Sequence, residues 1–396
     1  MNNKEIMALA DKYLTPNYGR QPIALVKGKR ATVWDADGKK YLDFVSGLAV
    51  ANLGHANIAI NKAVQKQMSK LTHVSNLYYT EPQTEYAAAL QGFMPQKGRF
   101  FFCNSGTEAN EAALKLTRLA AMAAHGKGRT EIIAFDNSFH GRTMGALSMT
   151  GQKKYQKGFG PMLAGVKHVP YGDLTAVEKS INDKTAAVIV EVVQGEGGVI
   201  VPKAGFLTGL SGLCRKKDII LIVDEVQTGF SRTGKLFAFE HYKMKPDIVT
   251  MAKGIANGLP MGAMWAKEDL AKQLVPGAHA STFGGNAAVA AGAMEALKAL
   301  TDEKLLDHVR NNGRYALLKL NGFKQNSPFV KEVRGLGFMF GVELGGPCAN
   351  VVAECAQKGL LVNCAGEKVI RLLPPLTVTR DELDRGLGIL GKVLGA

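Results

Sequence analysis

The sequence predicts an α/β fold: a large domain on a mostly parallel seven-stranded sheet, and a smaller α+β domain formed from both chain ends. Three observations predict it. Seven short apolar runs recur between residues 99 and 266. Most carry apolar residues in succession rather than in alternation, the pattern of strands buried on both faces. Helical patterns lie between several of them, so that strand and crossover repeat at roughly the 30-residue length of a βαβ unit. The chain ends, by contrast, mix strand-like and helical pieces without that rhythm.

Residues 22–50 read as strands joined by the turn DADG at 35–38. The apolar runs follow: RFFFCN (99–104), EIIAFDNS (131–138), VKHVP (166–170), AAVIVEVV (186–193), IILIVDEV (219–226), DIVTMA (247–252) and GAMWA (262–266). EANEAALKLTRLAAMAA (108–124) and GFLTGLSGLCRKK (205–217) are the clearest helical patterns between them. The last two runs are separated only by a short PMG-containing link, which suits an antiparallel pair. Residues 290–322 read as helix. VRGLGFMFGVEL, GLLVNCA and VIRLLPPL then give strand-like pieces, with the helix AECAQKG between the first two and DELDRGLGILGKVL closing the chain. The expected division is 1–60 (part of the small domain), 61–290 (the large domain) and 291–396 (the rest of the small domain).

With 396 residues, 46% of them hydrophobic, the chain can bury a large core. Its formal net charge is +15, which raises a nucleic-acid-binding protein as a rival reading. The basic clusters are short and dispersed, however: KGKR (27–30), QKKYQK (152–157) and CRKKD (214–218). A solvated basic surface facing anionic small molecules fits them better, with no nucleic acid and no membrane as partners. No apolar stretch approaches a membrane span, and the N-terminus lacks a signal-peptide pattern. Five cysteines without a C-x-x-C pair speak against a disulfide framework, so reduced thiols and a cytoplasmic setting are expected.

Polar residues that a core does not need collect where apolar strands end, the edge at which open α/β sheets bind ligands. FFFCN runs into SGTEANEAALKL, where Ser105 and Glu108 have capping-box spacing and Gly106 and Thr107 open a helix. Such a start is a plain helix cap or a phosphate site. After EIIAFDNS, Phe139 could stack on a flat ring and Arg142 clamp a carboxylate; core, loop and surface roles are the ordinary alternatives for Phe139, His140 and Arg142. Asp224 and Glu225 end an unbroken apolar strand, where an acid needs a partner. Either a metal or a protonated heterocyclic nitrogen would serve Asp224, and no histidine pattern supports the metal. Lys253 ends the next run. Alone it reads as a solvated or salt-bridged lysine. In a dry pocket it could act as an amine nucleophile toward a carbonyl.

Taken together, phosphate cup, ring stack, acid and lysine make a site for pyridoxal 5'-phosphate. The chain resembles the class III (ω-amino acid) aminotransferases of the fold-type I pyridoxal phosphate enzymes. The likeness spans nearly the whole sequence and rests on YLDFVSGLAVANLGH, HVSNLYYTEPQ, FFCNSGTEANEAALKL, FHGRTMGALSMTG, VVQGEGGV, LIVDEVQTGFSRTG, MAKGIANGLPMGA, HASTFGGN and IRLLPPL. It implies that Lys253 binds the cofactor aldehyde and acts as base and acid, that Asp224 meets the pyridine nitrogen, and that Gln227 meets the ring hydroxyl. It also implies that Gly106 and Thr107 form the phosphate cup, that Phe139 stacks on the ring, and that Thr282 reaches the phosphate from the partner subunit of a homodimer with shared sites. Ser281 would line the substrate site. Arg142 would hold the distal carboxylate, Arg371 would hold the α-carboxylate of glutamate, and Glu196 would pair with Arg371 when an ω-amine binds.

The implied reaction moves the terminal amino group of N2-acetylornithine to 2-oxoglutarate, giving N-acetylglutamate 5-semialdehyde and glutamate in arginine biosynthesis. Succinylornithine, ornithine, succinyldiaminopimelate and 4-aminobutyrate mark sister activities. Two departures from the family pattern, Val192 where proline is frequent and HANIAI at 55–60, touch no implied role.

Overall fold

The structure, a computed structural model, describes residues 1–126 and 128–396. Near the N-terminus, β1 (Leu25–Lys29), β2 (Thr32–Asp35) and β3 (Lys40–Asp43) form an antiparallel meander. The 35–38 turn joins β2 to β3, with Asp35 Oδ1 accepting the Asp37 and Lys39 N–H groups.

The seven apolar runs become seven strands: β4 (Gly98–Cys103), β5 (Glu131–Phe135), β6 (Val166–Val169), β7 (Thr185–Glu191), β8 (Ile220–Asp224), β9 (Ile248–Met251) and β10 (Gly262–Lys267). They form one sheet in the order β4-β10-β9-β8-β7-β5-β6. Only β10 runs against its neighbours, as the short link before it predicts.

Alternate residues of these strands feed two cores. Phe135, Val188, Val190, Leu221, Val223 and Val249 face one side; Ala134, Ala187, Ile189, Ile222 and Ile248 face the other. The helix Gly106–His125 covers the second side with Ala112, Ala113, Leu114 and Leu116. The helix Phe206–Lys216 covers the first with Leu207 and Leu210. Burial on both faces is why the runs are continuously apolar; each fully buried aliphatic side chain contributes roughly 1.5–3 kcal/mol.

Beyond the helices Ala287–Leu300 and Glu303–Asn326 lie β11 (Val330–Leu336), β12 (Met339–Leu344), β13 (Leu360–Leu361), β14 (Asn363–Ala365) and β15 (Val369–Leu372). One four-stranded sheet has the order β11-β12-β15-β14; the other is β1-β2-β3-β13, with β13 parallel to β3. The two chain ends therefore share a sheet.

One expectation is corrected. Cys348 and Cys364 form a disulfide, while Cys103, Cys214 and Cys355 are free and buried. An odd cysteine count opposes a framework of pairs, not a single pair. The start of the helix Ala349–Gln357 lies beside β14 and brings the two Cα atoms to 6.0 Å, within bridging range.

Candidate active site

Strands β4, β5, β7, β8 and β9 point the same way, and their carboxyl ends surround a cavity of about 220 Å³. Gly106, Thr107, Phe139, Arg142, Glu196, Asp224, Gln227 and Lys253 all line it.

The helix Gly106–His125 begins at this edge, capped by Ser105, whose Oγ accepts the Glu108 N–H. Glu108 returns to accept the Asn104 N–H at 3.0 Å. Among the described residues the N–H groups of Gly106 and Thr107 meet no acceptor. They are free donors at a positive helix end, suited to a phosphate. Glycine is required at 106, since a Cβ there would lie 2.7 Å from Val226 Cγ1. The Thr107 hydroxyl oxygen accepts the N–H groups of Arg142 and Thr143 at 3.1 and 3.2 Å. That ties the helix start to the loop after β5.

In that loop Phe139 packs edge-on against Tyr155 at 5.8 Å. Phe139 and Val226 both line the cavity, so it has apolar walls suited to a flat ring. Arg142 is exposed at the mouth, its guanidinium 3.9 Å from the Tyr155 ring centroid.

Asp224 is buried. Its Oδ2 accepts from His140 Nδ1 at 2.7 Å and from Asn110 Nδ2 at 2.9 Å. Among the described residues its Oδ1 accepts only the Val226 N–H, at 3.0 Å. Among the described residues His140 Nε2 has no partner, so Nδ1 is the ring atom that meets the acid. The carboxylate thus keeps a free acceptor direction on Oδ1. Among the described residues no group of three or more His, Cys, Asp or Glu could hold a metal ion.

Lys253 adopts a left-handed backbone, φ 51°. For a non-glycine residue this stores strain of the kind that collects at functional sites. Of the glycines that follow, Gly258 has a positive φ of 108°, and the lysine itself and Asn257 (φ 48°) share the turn with it. Burial lowers the Lys253 pKa and Arg371 lowers it further, against Glu196, Asp224 and Glu191. The amine is thereby shifted toward its neutral, nucleophilic form.

Arg371, on β15, is buried and points its guanidinium at the cavity residues. Nη1 donates to Glu196 Oε1 at 2.6 Å and to Gln227 Oε1 at 3.1 Å, and Nε to Asn363 Oδ1 at 3.4 Å. Burial pushes the Glu196 carboxyl upward, but Arg371 and Lys253 outweigh it and hold it below its ordinary range.

Ser281 and Thr282 are not brought to the cavity. Ser281 Oγ accepts from Asn104 Nδ2 at 3.3 Å, near the helix start, whereas exposed Thr282 borders residues 71–83.

Sequence reasoning missed Asn110 and the anchoring role of His140. Asn110 stands one helical turn after Thr107, a spacing that could have flagged it. A further surprise is Ser46–Ala49, four successive residues with φ of 49°, 63°, 67° and 65°. Asp43 Oδ1 accepts the Val45 and Ser46 N–H groups at its start, and Ala49 packs with Val193, Val199, Met339 and Leu373 beside the Glu196 turn. Only Gly47 hints at it in the sequence.

The family model for class III aminotransferases matches residues 13–394. An acetylornithine aminotransferase from Methanothermobacter thermautotrophicus is 45% identical over 394 residues, covering 100% of this chain and 99% of the relative. An ornithine aminotransferase from Toxoplasma gondii, crystallised with oxidised glutathione, superposes with a TM-score of 0.96 at 33% identity. It covers 99% of this chain and 94% of its own, and holds PLP at partial occupancy. An acetylornithine aminotransferase from Elizabethkingia anophelis has a TM-score of 0.89 at 32% identity, with 100% and 99% covered.

Proposed function

We propose that the chain, which belongs to the aminotransferase class III family, moves the terminal amino group of N2-acetylornithine to 2-oxoglutarate. The products are N-acetylglutamate 5-semialdehyde and glutamate, a step of arginine biosynthesis. The enzyme is pyridoxal phosphate-dependent, and the cavity fits that cofactor: two free N–H donors, an apolar slot, a buried carboxylate with a free acceptor direction, and a lysine of lowered pKa. When bound, the cofactor supplies an electron sink that stabilises the carbon losing its proton.

One observation carries the substrate reading: Arg371 is masked by Glu196 at the cavity wall. Glutamate reacts at its α-amine and brings a carboxylate close to the reacting carbon. An ω-amine brings only CH₂ there, and an unmasked buried arginine beside it would be costly. Glu196 covers Arg371 for the ω-amine and withdraws for glutamate, while Arg142 at the mouth takes the distal carboxylate of either. Lys253 holds and moves the proton at the carbon bearing the reacting amine. Gly106 and Thr107 would bind the phosphate, Phe139 would stack on the ring, Asp224 would keep its nitrogen protonated, and Gln227 would hold the ring hydroxyl.

A homodimer with shared sites accounts for Thr282, which a second chain would deliver to the phosphate, and for Ser281 at the substrate site. Leu77, Tyr78, Tyr79 and Phe283 are all exposed. Asn76 Nδ2 ties their two segments together, donating to Ser281 O and Gly284 O. Such an apolar patch suits a second copy, and the dimer reading expects a two-chain species in sedimentation.

Likeness in backbone to the Toxoplasma gondii enzyme supports ornithine as a second reading. The test is a panel of single half-reactions with N2-acetylornithine, N-succinylornithine, ornithine, succinyldiaminopimelate and 4-aminobutyrate, followed by cofactor absorbance. N2-acetylornithine should have the highest kcat/KM, and a higher value for any of the others overturns the assignment.

A further inference from the structure

Glu191, the last residue of β7, takes no part in the roles above. It is buried at the cavity wall, in register with Asp224 on the neighbouring strand. Its two oxygens are divided between two loops. Oε1 accepts the Phe139 N–H at 2.9 Å, and Oε2 accepts the Gly195 N–H at 3.1 Å.

The first loop carries the ring stack and Arg142. The second carries Glu196. Gly195 lies so close to Gln227 that a Cβ on it would sit 2.1 Å from Gln227 Oε1. That same oxygen accepts from Arg371, and Gln227 Nε2 donates to Glu196 Oε1 at 3.4 Å. One carboxylate therefore ends a short path from the Phe139 backbone to the Glu196–Arg371 pair. Gln194 makes a separate link between the same segments, Nε2 to Asp136 O at 2.9 Å, so losing Glu191 would leave them joined at their base.

We infer that Glu191 is a positioning residue for donor choice: it fixes the Gly195–Glu196 turn against the Phe139–Arg142 loop, and so sets how well Glu196 masks Arg371 when an ω-amine binds. It touches neither substrate nor the reacting carbon in this role. A carboxylate suits it because two backbone N–H groups approach from different loops and both need an acceptor. Glutamine has the same shape but only one acceptor oxygen, and its NH₂ must face the other N–H. The inference rests on the two-donor reading above, not on which ω-amine is preferred.

The test measures half-reactions of holoenzyme Glu191→Gln with glutamate and with whichever ω-amine the wild type discharges best. The ratio of kcat/KM, ω-amine over glutamate, should fall at least tenfold. A merely structural brace would lower both half-reactions by one factor and leave the ratio unchanged, and that result overturns the inference. In the double variant with Glu196→Gln the ratio should drop no further than in Glu196→Gln alone, because Glu191 acts through Glu196; an additive drop also overturns it. Should Glu191→Gln not accumulate as holoenzyme, the ratio is read on Glu191→Asp. Aspartate keeps both acceptors one methylene short and should give a smaller fall in the same direction, and an unchanged ratio again overturns the inference. A wild type that discharges with glutamate and with no ω-amine overturns the proposed function as well, whereas an unchanged ratio in an active two-donor enzyme overturns this inference alone.

Discussion

Arg371 and Arg232 are buried to almost the same degree, yet their charges are met in opposite ways. Arg371 meets a carboxylate, Glu196, that keeps partial contact with solvent. Among the described residues Arg232, in the turn region after β8, meets no acid. Its Nη1 donates to Phe338 O at 3.0 Å and Pro374 O at 2.5 Å, and its Nη2 to Asn52 Oδ1 at 2.6 Å. Burial lowers the Arg232 pKa to about 9, with Asp43 the opposing influence. Its acceptors come from the N-terminal segment, the β11–β12 hairpin and the stretch after β15, so one guanidinium pins three parts of the chain to the large sheet. A carboxylate partner makes a buried arginine switchable. Fixed neutral acceptors make it structural.

The largest expected effect tests the structural side. Arg232→Met leaves three buried acceptors without a donor and should lower the unfolding free energy by about 3–5 kcal/mol, read from the urea midpoint. The folded fraction should keep the wild-type ratio between glutamate and ω-amine half-reactions. A wild-type midpoint, or a changed ratio, breaks the contrast.

Next comes the switchable side. Arg371→Ala should cut kcat/KM for glutamate by about 10²–10³-fold, roughly 3–4 kcal/mol of transition-state stabilisation. The ω-amine half-reaction should lose less than about tenfold, because its CH₂ never meets the guanidinium. The urea midpoint should move less than for Arg232→Met, since Glu196 can turn to solvent. Equal losses for both donors would remove Arg371 from donor discrimination.

Local sequence pattern does not separate these two arginines; only the family resemblance singles out Arg371. Neither GFSRTG nor VIRLLPPL carries an acid beside its arginine, and what distinguishes the two is distant in the chain. Arg232 depends on Asn52, Phe338 and Pro374, and Arg371 on Glu196 and Gln227. Strand order was legible in outline because burial on both sheet faces writes continuous apolar runs. The cavity residues were legible because polar groups at the ends of such runs are costly without a purpose. The second layer was not. His140, Asn110 and Glu191 act by hydrogen bonds that close only in three dimensions, and the left-handed run at Ser46–Ala49 carries one glycine as its only local sign. The Cys348–Cys364 bridge depended on a helix start meeting a strand edge, which spacing does not reveal.

The smallest expected effect asks whether the rule for Arg232 extends to an acid. Glu225 is buried beside Asp224, and its partners are neutral: the Thr228 hydroxyl at 2.5 Å and the Phe239 N–H at 2.7 Å. Burial pushes its pKa from 4.5 up to about 7, against the pull of those hydrogen bonds. A raised acid binds its proton more tightly when folded, so the folded state holds more protons than the unfolded one between pH 4.5 and 7. Its contribution to stability is present below that window and lost as pH rises through it. Glu191 is pushed to about 7 by burial as well and acts in the same window. Glu131 and Asp384, held low by Lys167 and Lys319, act in more acidic solution. Histidines lowered by burial, such as His168, push the other way but are common to both proteins being compared. The wild type should therefore lose a few degrees of Tm relative to Glu225→Gln as pH is raised from about 5 to about 8. Parallel Tm curves would mean that Glu225 stays charged when folded, and that neutral partners alone can hold a buried carboxylate as they hold Arg232.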